Sequence, residues 1–175
     1  LVPSSAASDV YKRQAITLRA GRRVTAIDRG AREVICADGS RQPYDHLVIA
    51  TGARTLRPPI PGLDAPGVHE LRTLADAQAI RAALVETRHA IVIGGGFIGL
   101  EFAAMARAAG VAVTVIEAAP RLMARALSQP MSARFLVLHR AMGTEVLLDA
   151  KAARVLADGA GRASGVELAL SLIHI

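Results

Sequence analysis

Residues 91–117 read IVIGGGFIGLEFAAMARAAGVAVTVIE: a short β-branched run, a cluster of glycines, an alanine-rich stretch closed by Gly110, and a second β-branched run ending in an acid. Few architectures accommodate that order. Within GGGFIG, Gly94, Gly96 and Gly99 take the three glycine places of G-x-G-x-x-G, and Gly95, Phe97 and Ile98 fill the intervening ones. Gly94 permits a tight strand-to-helix turn, Gly96 lets the backbone approach a pyrophosphate with no Cβ in the way, and Gly99 lets the helix lie close on the strand. The unbonded N–H groups at the helix start then face an anion, backed by the positive end of the helix dipole, worth about 0.3–1 kcal/mol per charge. A bare glycine motif is weak, because glycine-rich turns are common. This one follows a strand, opens a helix and leads to Glu117 about 20 residues on, where a ribose-binding carboxylate belongs. The segment is expected to be a βαβ unit that holds a dinucleotide.

Glu117 bears on which dinucleotide. Its carboxylate can accept hydrogen bonds from the adenosine ribose hydroxyls of NAD. The 2′-phosphate of NADP would instead bring like charges to about 4 Å, costing about 4 kcal/mol per pair at an effective dielectric near 20. NAD is therefore expected over NADP, a preference that Arg121 and Arg125 would soften if their charges reached the phosphate. Glu101, read as lying in the first turn of the same helix, also suits a helix N-terminus on dipole grounds alone.

The rest of the chain supplies an α/β context. Ile16–Arg19, Val24–Arg29 and Glu33–Ala37 read as strands of an antiparallel meander with a tight turn at Asp38-Gly39. HLVIA, 46–50, reads as a further apolar strand, and the proline- and glycine-rich stretch from Pro58 to Gly67 as a linker. Thr73 and Asp76 form a capping pair for a helix through about Glu86, with Leu74, Ala77, Ile80, Ala83 and Leu84 on one face. Ser128 caps another helix that Gly143 ends, and residues 144–170 alternate as strands about a turn at Asp158-Gly159. The expected fold class is α/β: a Rossmann-like NAD-binding domain over 68–170, preceded over 15–67 by a β-meander and linker from part of an FAD-binding domain. Residues 1–14 and 171–175 break from the Ala/Arg/Gly/Val-rich body and resemble translated sequencing-adapter sequence.

Composition narrows the function classes. The charge of +6 is mostly arginine, spread without dense clusters or interleaved aromatics, which argues against a nucleic-acid partner. No apolar run approaches the roughly 18–20 residues of a membrane span, and a cytoplasmic location is expected. Cys36, the single cysteine, lies in an apolar stretch and reads as core filling. The five histidines are scattered; neither a metal-ligand spacing nor a nucleophile–base pair is present, so no catalytic residue is named.

The successive segments HLVIATGA, LRTLADA, IVIGGGFIGLE and VTVIEAAPRLMARAL resemble the flavin-dependent ferredoxin reductases of bacterial oxygenase systems, within the pyridine nucleotide-disulfide oxidoreductase superfamily. The resemblance implies FAD and NAD as cofactors and a ferredoxin-type electron acceptor as partner. It places Ala50, Thr51 and Gly52 where the chain passes the FAD, Val24 where a backbone meets the adenine, and Arg72 on an arginine that contacts the FAD. It also places Glu101 near the nicotinamide and Arg125 on the adenosine side of NADH. An arginine that relatives often carry at position 56 is replaced here by Leu56, with Arg57 next to it. The resemblance puts the FAD glycine loop before residue 15 and an acidic flavin motif and capping domain after residue 170. Residues 15–170 by themselves are therefore expected to hold no flavin. An NADH oxidase, a disulfide reductase without a C-x-x-C in this region, and a non-catalytic NAD-binding module remain open as alternatives.

Overall fold

The computed structural model describes residues 14–169 and the backbone of 172–174. The chain divides into two compact units, residues 1–52 and 53–175. In the first, β1 (Val24–Asp28), β2 (Glu33–Cys36) and β3 (Arg41–Pro43) form an antiparallel meander. Its second turn is the expected one: Gly39 takes φ +79° and the Asp38 carboxylate accepts from the Ser40 backbone N–H at 3.0 Å. β3 escaped the sequence reading because Arg-Gln-Pro has no strand propensity of its own; pairing with Glu33–Ile35 makes it a strand.

Two expected strands are absent. Ile16–Arg19 and the apolar HLVIA run are irregular, and Val48 and Ile49 are 85% and 68% exposed. A buried parallel strand takes its hydrogen bonds and its apolar cover from neighbouring strands and helices. Among the described residues nothing pairs with HLVIA.

The second unit opens with residues 53–73, which are irregular, as the prolines require. The Pro61 and Pro66 carbonyls nevertheless accept backbone N–H groups from Val155 and Ala163. Helix α1 (Leu74–Leu84) begins at the expected capping box, with Asp76 N–H donating to the Thr73 hydroxyl and Thr73 N–H to the Asp76 carboxylate. Those bonds hold the Asp76 carboxyl below its ordinary pKa, with the Thr73 backbone N–H the largest cause. The apolar face of α1 is only half-covered, and Leu74 is 65% exposed. The cap therefore matters more to α1 than burial does: Thr73→Ala is expected to cost about 0.5–2 kcal/mol, read as a lower denaturant midpoint at unchanged slope.

Strands β4 (His89–Ile93), β5 (Ala112–Ile116) and β6 (Glu145–Leu147) run parallel in that order. They are joined by α2 (Phe97–Ala108) and α3 (Gln129–Ala141). Alternation along β5 sorts the side chains. Val113 and Val115 pack with Leu100, Ala103 and Ala106 of α2 and with Leu122. Ile116 faces the other way, onto a cluster with Ala152, Val166 and Leu168. Those residues belong to an antiparallel sheet of β7 (Ala152–Ala157), β8 (Ala163–Leu168) and β9 (Leu172–His174), giving helix, parallel-sheet and antiparallel-sheet layers. The tail set aside in the sequence reading thus supplies β9 to the fold. The β7–β8 turn spans Asp158 to Arg162, and Gly161 rather than Gly159 takes the left-handed conformation, at φ +78°.

His139 on α3 is 4% exposed, and among the described residues its Nδ1 has no hydrogen-bond partner. Burial disfavours the imidazolium and lowers its pKa below 6.5. As pH falls below 6.5 the unfolded chain takes up this proton first, so the stability held by the neutral ring is full above 6.5 and declines below it. His139→Leu is expected to flatten the fall in denaturant midpoint between about pH 7.5 and 5.5; an unchanged fall would contradict this.

Candidate dinucleotide-binding site

The glycine loop joins the C-terminal end of β4 to α2, and the Gly94 N–H donates to the Ile116 carbonyl at 2.8 Å, tying it to the end of β5. Gly94 has φ +113°, which a side chain would strain. A Cβ on Gly99 would stand 2.3 Å from the Gly94 carbonyl oxygen and 3.0 Å from Val92, so the helix lies against the strand as its third glycine implies. Gly96 is the N-cap of α2, makes no side-chain cap, and has open space within 4 Å of where a Cβ would sit. The first intrahelical bond runs from Leu100 N–H to the Gly96 carbonyl, which leaves the N–H groups of Phe97, Ile98 and Gly99 at the open end of the helix. Phe97 and Ile98 are 51% and 56% exposed beside them. This is a cradle for an anion with apolar surface at its edge.

Glu117 follows β5 and reaches the loop. Its Oε2 accepts the Gly95 N–H and its Oε1 the Ala119 N–H, both at 2.7 Å. An ionised carboxylate has about four lone-pair positions, so two remain for the hydroxyls of a ribose. The contact also explains the additional glycine at an intervening place of the motif: a Cβ on Gly95 would meet Leu122 at 2.6 Å and the Glu117 carboxylate at 3.1 Å. The roles of Gly94, Gly96 and Gly99 are legible in sequence; that of Gly95 is set by packing from the far end of the βαβ unit.

Past Glu117 the chain folds back on the loop, with Met123 N–H donating to the Gly95 carbonyl at 2.9 Å. Arg121 is spent on internal acceptors, the carbonyls of Ala124 and Leu127 and the Ser132 hydroxyl. It is thereby removed from the pair expected to soften a preference against NADP, which leaves Arg125, exposed on the same segment. Nothing in its spacing distinguished Arg121 from the other arginines. Glu101 is also corrected: α2 starts at Phe97, so Glu101 lies one turn into the helix, exposed, rather than in its first turn.

The residues matched to an FAD site lie in both units. Val24 is an exposed residue of β1, and Ala50, Thr51 and Gly52 form an exposed segment in which Gly52 has φ +78°. In the second unit Arg72 is exposed just before α1, its backbone N–H bonded to Asp76. Arg57 cannot stand in freely for the missing arginine at 56. It pairs with Asp64 and Glu70, bonds the Leu63 carbonyl, and its pKa is raised, chiefly by the Asp64 hydrogen bond.

A parallel βαβαβ sheet with an open, glycine-lined helix N-terminus and an acid at the end of its second strand defines a dinucleotide-binding fold. Residues 3–171 match the model of the pyridine nucleotide-disulphide oxidoreductase family, and the chain belongs to that family. It is 46% identical over 151 residues to rhodocoxin reductase of Rhodococcus erythropolis, covering 86% of this chain and 35% of that protein. It is 48% identical over 154 residues to the anthranilate 1,2-dioxygenase system ferredoxin–NAD(+) reductase component of Burkholderia cepacia, covering 85% and 37%. Among solved structures, the ferredoxin reductase for the CYP199A2 system from Rhodopseudomonas palustris superposes with a TM-score of 0.85 at 39% identity, over 95% of this chain and 41% of that one. The chain thus spans little more than a third of the length of the curated relatives it matches.

Proposed function

We propose that these residues form the central part of a flavoprotein that passes electrons from NADH through FAD to a ferredoxin-type iron–sulfur protein. The observation that carries this is the glycine cradle with Glu117 beneath it, in a chain similar to proteins named as rhodocoxin and ferredoxin reductases. Residues 68–170 would be the NAD-binding part, with the N–H groups after Gly96 on the pyrophosphate, Glu117 on the ribose, Arg125 toward the adenosine and Glu101 toward the nicotinamide. Residues 15–67 would belong to the FAD-binding part, with Val24, Ala50, Thr51 and Gly52 against the flavin nucleotide; Arg72, by the family resemblance, matches an arginine that contacts FAD. The flavin, when bound, supplies the change from hydride to single-electron transfer, and the protein supplies binding and orientation. Among the described residues no helix is long and apolar enough to cross a membrane, and we place the protein in the cytoplasm.

The complete protein is expected to be yellow, to bleach with NADH under anaerobic conditions, and to reduce cytochrome c only when a ferredoxin is added. Rapid oxygen consumption without ferredoxin would favour an NADH oxidase, and a colourless protein that still binds NAD would sink the reductase reading. Residues 15–170 alone are expected to purify without flavin; stoichiometric FAD in such a preparation would contradict the assignment of its site to a longer chain.

A further inference from the structure

Arg121 is half-buried, and the three acceptors it holds are neutral. Nη1 donates to the Leu127 carbonyl at 2.7 Å and the Ser132 hydroxyl at 2.9 Å, and Nη2 to the Ala124 carbonyl at 2.6 Å. The hydroxyl of Ser132, 1% exposed at the start of α3, donates in turn to the Leu122 carbonyl at 2.7 Å. One guanidinium and one hydroxyl thus gather the carbonyls of Leu122, Ala124 and Leu127, in the segment between Glu117 and α3. That segment grips the glycine loop at one residue through both its backbone groups: Glu117 accepts the Gly95 N–H and Met123 donates to the Gly95 carbonyl. Leu122, fully buried, fills the place where Gly95 lacks a Cβ. Met123 has φ +49°, a conformation that residues other than glycine hold only when their surroundings impose it. Bonds from Ala126 and Leu127 to the Met123 carbonyl, inside the span that Arg121 clamps, impose it here.

We propose that Arg121, with Ser132, is a positioning residue for dinucleotide binding: it fixes the segment that grips Gly95, and so sets the pyrophosphate cradle without touching the dinucleotide. The inference rests on the reading of the glycine loop as an NAD(H) site. A clamp that acts only through the loop changes affinity for every ligand of that loop by the same factor. A side chain that met the ribose or its phosphate would change the ratio between NADH and NADPH.

The test is equilibrium titration of the full chain with NADH and NADPH, well below each variant's melting midpoint, for wild type, Arg121→Met, Arg121→Lys and Ser132→Ala. Arg121→Met is expected to weaken both nucleotides by about tenfold or more, with their ratio unchanged, because small displacements of a preorganised site are costly. Ser132→Ala should weaken both by a smaller common factor, and Arg121→Lys should recover part of the loss. Affinities within twofold of wild type in Arg121→Met, or a shift in the ratio, would overturn the proposal. If Arg121→Met fails to fold, Ser132→Ala decides by the same two criteria. A folded wild-type chain that bound neither nucleotide would overturn the reading of the site itself, and this proposal with it.

Discussion

Gly99→Ala is expected to abolish measurable NAD(H) binding and to destabilise the chain by about 1–3 kcal/mol, the usual cost of overpacking a close contact. Its Cβ would stand 2.3 Å from a backbone oxygen, that of Gly94, and 3.0 Å from Val92. No rotamer change relieves a backbone clash, so α2 must back away from β4, carrying the N–H groups of its first turn out of register with the Gly94 turn. Gly96→Ala separates the two consequences. Its Cβ meets nothing within 4 Å and its φ of −84° suits alanine, so the free chain should lose no more than about 1 kcal/mol, the difference between N-cap residues. Affinity should nonetheless collapse, because the space that Cβ enters is the space assigned to the pyrophosphate. Retained affinity in Gly96→Ala, checked by titration beside a thermal melt, would place the ligand elsewhere.

Glu117→Ala should lower NADH affinity and narrow or reverse the preference for NADH over NADPH. Two effects combine. The Gly95 N–H loses a charged acceptor at 2.7 Å, a bond class worth about 1.5–3 kcal/mol, and this weakens both nucleotides through the loop. Removal of the carboxylate also ends its repulsion of a 2′-phosphate, which helps NADPH alone. Glu117→Gln keeps the size, loses the charge, and leaves one acceptor oxygen for two backbone N–H groups. Its preference should therefore move as far as that of Glu117→Ala while its NADH affinity falls less. A variant that kept the wild-type preference would assign discrimination to Arg125 or another group.

The parts of the fold legible in sequence are those whose signals are local. Strand β4, helix α2 and strand β5 fall within a residue or two of expectation, because the 2-residue and 3.6-residue periods meet at glycines that cannot continue either. The same holds for the Thr73–Asp76 box, which forms from residues one turn apart. HLVIA failed for the opposite reason: its apolar run describes a strand only in the company of other strands, and none pairs with it among the described residues. At the site, the roles of Gly94, Gly96 and Gly99 follow from their spacing. Those of Gly95, Leu122 and Arg121 depend on how the segment after β5 folds back, which no periodicity encodes. Arg121 is the clearest case: a charge that suggested a contact with an anion is turned inward to neutral carbonyls.

The most direct test of the site is a pair of equilibrium titrations of the unmodified chain, one with NADH and one with NADPH, at a single ionic strength. The open N–H groups after Gly96 and the carboxylate of Glu117 predict saturable binding of NADH and distinctly weaker binding of NADPH. Equal affinities, or tighter binding of NADPH, would contradict the role given to Glu117; no binding of either would contradict the assignment of the glycine loop.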